Sequence, residues 1–153
     1  MEIKKANIED APLIHELMIK AFANILPPSN ALEETVEYVT DAIKTGEEAL
    51  IGYIADQPIG MVRFVMKENS LYFFRLSILP EHQAKGLAKE LLAKLEEYAK
   101  KRQTPKITCH VRKALAKNVH LYHSLGYDMV EEFTVTKPDG IVLEVAAMEK
   151  SLS

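Results

Sequence analysis

The sequence holds few of the residues from which several classes of site are built. Its single cysteine, Cys109, excludes an intrachain disulfide and a cysteine-based metal cluster. Basic residues are in the minority, with 19 lysines and arginines against 22 aspartates and glutamates. The formal net charge of −3 gives no general attraction to nucleic acid or anionic lipid. An anionic ligand therefore has to be held by local geometry rather than by a basic surface.

Long apolar runs are missing as well. No stretch reaches the roughly 18 consecutive apolar residues of a membrane-spanning helix, and the N-terminus shows no basic segment followed by an apolar one. The chain also has no internal repeat, low-complexity tract or Gly/Ser-rich linker. We therefore expect a single cytoplasmic domain over residues 1–153, a monomer or homodimer without a nucleic-acid or membrane partner.

Hydrophobic patterning predicts an α+β fold. With 153 residues, 48% of them hydrophobic and 27% charged, the chain is large enough to bury a core. Apolar periodicity predicts the order β, α, α, three antiparallel strands, α, β, α, β, β. We therefore expect a mixed sheet flanked by helices. Strands are predicted at 2–6, 49–55, 59–67, 71–79 and 106–112, with a closing hairpin turning at 137–140. Helices are predicted after Asn7 with Ile25 on the inner face, from about Leu32 to a stop at Gly46, over 86–101 and over 116–125.

The most informative segment joins the strand that ends at Leu79 to the helix that begins near Gly86. Between them lies a short polar turn with one glycine, and the first amides of the helix have no intrahelical partner. Those N–H groups and the positive end of the helix dipole form an anion site. Because Gly86 has no Cβ, a bound group can come close to the backbone; the alternative is a tight turn without a ligand. This order favours a cradle for cofactor phosphates.

Two blocks of the sequence resemble the GNAT family of N-acetyltransferases. Residues 76–80 followed by Gln83-Ala84-Lys85-Gly86-Leu87-Ala88 resemble the strand end and Q/R-x-x-G-x-G/A acetyl-coenzyme A loop of that family. Residues 118–127 are similar to its N-x-x-L-Y-x-x-L-G-Y/F block, and residues 147–152 resemble its final strand. The resemblance covers essentially the whole chain. It implies a mixed sheet with helices on both faces and acetyl-CoA as co-substrate.

The resemblance also implies which residues contact acetyl-CoA. The diphosphate would lie on amides between Ala84 and Lys89, and the pantetheine arm would pair with the backbone around 76–78 as an added strand. Lys85 and Lys89 either add charge to this site or are solvated surface residues. Many family members place an asparagine where this chain has Leu115. The implied contact residues are Leu76, Ser77, Ile78, Gln83, Ala84, Lys85, Gly86, Leu87, Ala88, Lys89 and Asn118. Asn118 lies one helical turn after Leu115.

Tyr122 is the residue that the resemblance implies as proton donor to the leaving thiolate of coenzyme A. A free thiol with pKa ~8.5 and a phenol with pKa ~10 differ by about 1.5 units, or ~2 kcal/mol. Complete proton transfer is therefore uphill, and a hydrogen bond that stabilises the developing thiolate is the safer prediction. The alternative is a helix tyrosine that fills space beside Val119 and Leu125.

His110 is a candidate general base. It falls where some family members that modify protein N-termini carry a strand glutamate proposed for that role. An imidazole with pKa ~6.5 can take a proton from an ammonium substrate, directly or through water; the alternative is a hydrogen-bonded structural histidine. Successive side chains of a strand point to opposite faces. Cys109 and His110 should therefore not form a nucleophilic dyad.

The acceptor pocket is expected between residues 22–34, the strand 71–79 and the closing hairpin. There Glu33 and Glu34 are candidates for attracting a cationic amine, with Glu34 as an alternative base; both can also be helix-dipole partners only. Arg75 is expected opposite Leu76, where it can meet a carboxylate.

The resemblance implies direct attack of a neutral amine, on a small molecule or a peptide, upon the acetyl thioester. A backbone N–H near Ile78 would polarise the carbonyl oxygen. Two other functions stay open from the residues alone: a coenzyme A-binding sensor without catalysis and a protein-interaction domain without a cofactor.

Overall fold

A mixed sheet of seven strands in the spatial order β1-β2-β3-β4-β5-β7-β6 runs through the molecule. The computed structural model describes residues 1–152. Neighbouring strands are antiparallel except β4 and β5, which run in parallel. The predicted α+β fold class is confirmed. The strands are β1 (Glu2–Lys5), β2 (Glu48–Ile54), β3 (Gln57–Met66), β4 (Leu71–Ile78), β5 (Lys106–Arg112), β6 (Asp128–Thr136) and β7 (Val142–Ser151). The helices are α1 (Ala11–Phe22), α2 (Val36–Lys44), α3 (Leu87–Lys101) and α4 (Ala116–Ser124).

The helix boundaries differ from the prediction around residues 22–36. Helix α1 ends at Phe22, so Ile25 lies outside it. Leu32 belongs to a separate 3₁₀ turn, Asn30–Glu33, because α2 begins only after Thr35, whose hydroxyl oxygen accepts a bond from the Tyr38 N–H over 3.0 Å. The two prolines before this turn remove backbone donors and prevent one continuous helix. The connection is therefore an extended segment that is free to cover part of the sheet.

The parallel pair β4–β5 is joined only where it begins. Its register contains two residue pairs, at Leu71 and Tyr72 of β4. Because β4 continues to Ile78 and β5 continues to Arg112, the strands diverge and leave a gap between their carboxyl ends. Main-chain groups along such a gap lack the partners that a sheet normally supplies.

A bulge bends β4 beside this gap. The register of β4 against β3 shifts between Met61 and Arg63, and Arg75 has a positive φ of 54°. The Ser77 hydroxyl donates to the Arg75 carbonyl oxygen over 2.8 Å. An extra residue of this kind disturbs the ladder and increases the local twist of its strand. The bulge therefore accounts for the divergence of β4 from β5.

Two apolar clusters cover the two faces of the sheet. We call the side packed against α3 and α4 the α3 face, and the side packed against α1 and α2 the α1 face. Because strand side chains alternate, Cys109 and Val111 point to the α3 face, whereas His110 and Arg112 point to the α1 face. The α3-face cluster contains Leu50, Val62, Phe64, Leu71, Phe73, Leu91, Leu92, Leu95, Ala99, Ile107, Cys109, Val111, Tyr122, Tyr127, Ala146 and Met148. The α1-face cluster contains Ala11, Ile14, Leu17, Met18, Ala31, Val39, Ala49, Ile51 and Met61.

No helix within residues 1–152 is both long enough and apolar enough to cross a membrane.

Candidate functional site

The corner between β4 and α3 is open. After the 3₁₀ turn Pro80–His82, Ala84 and Gly86 take positive φ values of 63° and 78°. Gly86 is the N-cap of α3, and no side chain of the described chain caps this helix end. A Cβ added to Gly86 would meet nothing within 4 Å. Glycine is therefore favoured here by the backbone conformation rather than by crowding, and the space beside Gly86 is open.

The amides of this corner are available to a ligand. The Glu90 N–H is the first to bond back into α3, to Gly86 O over 3.3 Å, and the amides before it lie beyond the reach of the helix ladder. Lys85 and Lys89 are exposed at its edge, whereas Leu87 is buried and Ala88 half-buried, so that their amides are held in place by the core. The arrangement fits an anionic group such as a diphosphate, which the helix end also attracts electrostatically.

Ile78 directs its main-chain groups into the β4–β5 gap. Leu79 N–H donates to Ile59 O over 2.9 Å, so the next residue pair, Ile78 with Gly60, is the non-bonded one of the antiparallel ladder. The groups of Ile78 therefore point away from β3, towards β5. Gln83 Nε2 donates to Ile78 O over 3.1 Å and ties the corner to the strand. The N–H of Ile78 is left facing the gap.

Tyr122 lies on the α3 face, beneath β4. Its ring makes edge contacts with Phe73 at 5.7 Å and a tilted contact with Tyr127 at 5.9 Å between centroids. The side chain is buried, and burial, with a smaller contribution from Cys109, raises the pKa of the Tyr122 phenol well above its usual value. Burial also raises the pKa of the Cys109 thiol to about 12, which makes it a poor nucleophile. Tyr122 therefore keeps its proton over the physiological pH range.

His110 lies on the opposite side of the sheet, as predicted from its neighbour Cys109. Its ring sits between those of Tyr72 and Phe133, each at 5.2 Å between centroids. Burial and the positive charge of Lys67 lower the pKa of His110, and Glu131 opposes them. The imidazole is therefore neutral near pH 7, the form that can accept a proton. Tyr122 and His110 therefore lie on opposite faces of the sheet.

Asn118 is exposed in the first turn of α4, the helix that carries Tyr122. Its N–H donates to Leu115 O over 3.0 Å, and Leu115 precedes the helix without a side-chain cap. Nothing in these contacts shows a role for the Asn118 amide, so its cofactor contact stays a prediction.

Arg63 anchors the α1 face and was not expected from the sequence. Its side chain is 1% exposed, with Nη1 at 2.7 Å from Glu34 Oε1 and Nε at 2.7 Å from Glu47 Oε2. Its guanidinium also lies 5.1 Å from the centroid of the Phe74 ring. Burial lowers the pKa of Arg63, but the bonds to both carboxylates outweigh it and raise the pKa overall. The available signal was a charged residue inside the apolar run Met61-Val62-Arg63-Phe64.

Arg75 meets a carboxylate as predicted, but that carboxylate belongs to the chain itself. Arg75 Nε lies 2.9 Å from Glu34 Oε2, while the other oxygen of Glu34 is held by Arg63. Both oxygens of the Glu34 carboxylate therefore already accept charge-assisted bonds from arginines of the same chain. Glu34 is therefore neither a free attractor for an amine nor an available base, which corrects the hypothesis that gave it these roles.

Two more cations hold the segment before Glu34. Arg112 donates from Nη1 to Pro27 O over 2.6 Å and from Nη2 to Pro28 O over 3.3 Å. Lys137, from the β6–β7 turn, donates to the same Pro28 oxygen. Burial and the positive charge of Arg75 lower the pKa of Arg112. The α1–α2 segment, β4, the closing hairpin and the end of β5 are therefore bonded to one another where the acceptor pocket is predicted.

Comparison with known proteins gives a consistent result. The sequence model of the acetyltransferase (GNAT) family matches residues 13–127. The ribosomal-protein-alanine N-acetyltransferase from Brucella melitensis is similar in structure, with a TM-score of 0.83, 19% identity and 99% of both chains covered. The PaiA N-acetyltransferase from Thermoplasma acidophilum, solved with coenzyme A, has a TM-score of 0.75, 19% identity and 99% of both chains covered.

A third similar structure is that of yncA from Salmonella typhimurium, solved with acetyl-CoA. Its TM-score is 0.78 at 19% identity, with 100% of this chain and 94% of that chain covered. Among curated proteins no match to the sequence is found. At these identities the solved structures establish the fold, whereas the family match also covers both sequence blocks that surround the corner and α4.

Proposed function

This chain belongs to the acetyltransferase (GNAT) family, and on that premise we propose that it is an N-acetyltransferase that moves the acetyl group of acetyl-CoA to a primary amine by direct attack. The proposal rests on one observation: the open, uncapped corner at Gly86 continues into the gap between β4 and β5. A diphosphate held by the corner amides would lead an extended amide-bearing arm along the unpaired edge of β4.

The gap joins the two faces of the sheet. The thioester is supplied from the α3 face, and the amine reaches it from the α1 face. Holding two reactants in this way replaces a bimolecular encounter and contributes a large part of a typical rate enhancement. The N–H of Ile78 faces the gap and donates to the oxygen that becomes negatively charged during acyl transfer.

Tyr122 donates a hydrogen bond to the leaving sulfur. Its raised pKa makes full proton transfer to a thiolate more unfavourable than the ~2 kcal/mol expected for an ordinary phenol. A fixed, uncharged donor in an apolar environment stabilises developing negative charge strongly, because little water competes with it. The proton of the phenol therefore stays on Tyr122, and coenzyme A departs as a hydrogen-bonded thiolate that takes up a proton from solvent afterwards.

His110 accepts the proton that the amine loses. It lies on the acceptor face and is neutral near pH 7 because its pKa is lowered by burial and by Lys67. A neutral imidazole can take the proton directly or through one water molecule. The base and the hydrogen-bond donor thus act from opposite faces, each beside the reactant that it serves.

Titration and turnover together test this function. Calorimetric titration of the wild-type protein with acetyl-CoA should show saturable binding. Free ligand at 100 times Kd should stabilise the native state by about 2.7 kcal/mol. Coenzyme A release should rise above background hydrolysis with at least one member of a panel of primary amines.

The same measurements separate the competing functions. Acetyl-CoA binding without amine-dependent release would favour a coenzyme A-binding sensor. Absence of binding at millimolar acetyl-CoA would favour a protein-interaction domain and overturn the proposal.

A further inference from the structure

The cationic side chains that hold the α1–α2 segment outnumber the carboxylates that pair with them. Four cationic side chains, Arg63, Arg75, Arg112 and Lys137, converge on the segment between Pro27 and Glu34. They share two carboxylates, those of Glu34 and Glu47. Glu47 pairs with Arg63, and Glu34 bridges Arg63 and Arg75, whereas Arg112 and Lys137 donate to carbonyl oxygens. The excess of positive charge therefore lies towards Arg112 and Lys137, beside the end of β5.

Arg112 has no anionic partner within residues 1–152. Its two described bonds go to the carbonyl oxygens of Pro27 and Pro28, which are polar but uncharged. Arg75 reinforces the imbalance, because its one carboxylate partner, Glu34, is shared with Arg63. The two guanidiniums interact unfavourably with each other, as the lowered pKa of Arg112 also indicates. An anion between them would relieve that repulsion.

Both arginines have donors to spare. A guanidinium carries five N–H groups in a planar fork that matches a carboxylate. In the described chain Arg75 uses Nε only, and Arg112 uses one bond from each terminal nitrogen. Arg75 is 28% exposed in its side chain and Arg112 is half-buried, so both are within reach of a ligand on this face.

Aromatic rings border the same place. Tyr72 and Phe74 stack at 5.7 Å between centroids, and Phe133 lies across His110 from Tyr72. The α1 face here therefore presents aromatic rings beside the two arginines. Among the acceptors open to an N-acetyltransferase, this surface favours an amine that also carries an acid over a polyamine or an amine of purely positive charge.

We propose that the acceptor is a primary amine bearing a carboxylate, of the amino-acid class, and that Arg75 and Arg112 together bind the carboxylate while the amine faces the gap. This inference rests on the proposed N-acetyltransferase function. Arg75 and Arg112 are specificity-determining residues in this account, in addition to their bonds with the α1–α2 segment.

Matched substrates test the inference. Coenzyme A release is measured with glycine, β-alanine, γ-aminobutyrate, alanine and phenylalanine, each against its own carboxamide. The acid should be preferred to its amide by about tenfold or more in kcat/KM for the best pair, since hydrogen bonds between charged partners are among the strongest. Arg75→Gln and Arg112→Gln should remove that preference mainly through KM, and Arg112→Lys should restore part of it.

The control is Lys106→Gln, on the same strand and face as Arg112 but at its far end, where Lys106 pairs with Glu149 at 3.4 Å. It should leave the preference intact. Thermal unfolding of every variant separates displacement of the α1–α2 segment from loss of carboxylate binding. Displacement of the segment lowers the melting temperature and reduces turnover of acid and amide alike, whereas loss of carboxylate binding does neither.

Product binding supplies a readout that does not depend on turnover. With coenzyme A present, the N-acetyl derivative of the preferred acid should bind the wild-type protein at least about tenfold more tightly than the N-acetyl amide. Equal rates and equal product binding for acid and amide, with turnover of both, would overturn the carboxylate inference and leave the proposed function standing. Absence of turnover with every amine would instead overturn the proposed function, and this inference with it.

Discussion

The two faces of the β4–β5 gap use different chemical groups, main-chain amides on one face and charged side chains on the other. On the α3 face the proposed site consists of main-chain amides between Ala84 and Lys89 and a buried tyrosine on an apolar background. On the α1 face it consists of charged side chains brought together from distant segments, such as Arg63 with Glu34 and Arg112 with Pro27. The first construction is local in sequence and the second is not. The difference decides both what each face binds and how sensitive it is to substitution.

The largest expected effect is a loss of folding stability when the buried ion network of the α1 face is broken. Arg63→Met should destabilise the fold by ~3–5 kcal/mol, because it leaves the carboxylates of Glu34 and Glu47, 11% and 10% exposed, without their shared partner. Arg102→Met, which removes a 38% exposed arginine from Glu48, should cost about 1 kcal/mol or less. Urea unfolding measures both. Equal losses in the two variants would show that the α1 face does not depend on its buried charges.

The next effect should separate the faces at the level of binding. Gly86→Val strains a residue with φ of 78° and should weaken acetyl-CoA binding by about tenfold or more, since it displaces the amides that hold the diphosphate. Gly46→Val is a matched control, because Gly46 also has a positive φ, 112°, and open space around its Cβ position. Calorimetry with acetyl-CoA distinguishes them. A similar loss of affinity in both variants would mean that strain alone, rather than the corner, is responsible.

Tyr122→Phe tests the chemistry of the α3 face. It should lower kcat at least about tenfold and leave the Kd of acetyl-CoA nearly unchanged, because the lost hydroxyl acts on the leaving sulfur only. Tyr127→Phe is the comparison: Tyr127 is in the same aromatic cluster, but its buried hydroxyl has no hydrogen-bond partner in the described chain. That change should be neutral or slightly stabilising. Undiminished kcat in Tyr122→Phe would reduce Tyr122 to a packing residue.

The smallest expected effect is a shift in the pH dependence of kcat/KM, which arises from His110 on the α1 face. His110 acts as a base when neutral, and its pKa is lowered below 6.5 by burial and Lys67, so kcat/KM should fall only as pH drops below about 6.5. Lys67→Gln removes a positive charge, raises the pKa of His110 and should move this acid limb to higher pH. His110→Asn should abolish the limb. A limb that stays in place in both variants would exclude His110 as the base.

The sequence predicted most of the α3 face because its determinants lie within short segments. Gly86 lies seven residues after Leu79, and the helix that follows shows its own apolar stripe, so strand, corner and helix could be placed together. Strand β5 was predicted at its observed bounds, and alternation placed Cys109 and His110 on opposite faces.

The α1 face could not be derived in the same way. Arg63 lies in an apolar run that predicts a buried strand, and no local pattern indicates that its partners come from residues 34 and 47. The sequence does not show that Glu34 is paired. The 3₁₀ turn before Glu34 and the bulge at Arg75, which bring these two residues together, depend on the tertiary structure. The positive charge near Arg112 was hidden by an overall net charge of −3.

The central claim, that the corner amides bind the diphosphate and direct the thioester into the gap, is tested most directly by ¹H–¹⁵N correlation spectra recorded during titration with acetyl-CoA. The account predicts that the largest shifts fall on the amides of residues 84–89 and 76–78, with small changes on α1 and α2. Shifts confined to other segments, or unchanged amides at 84–89 with saturating acetyl-CoA, would contradict it.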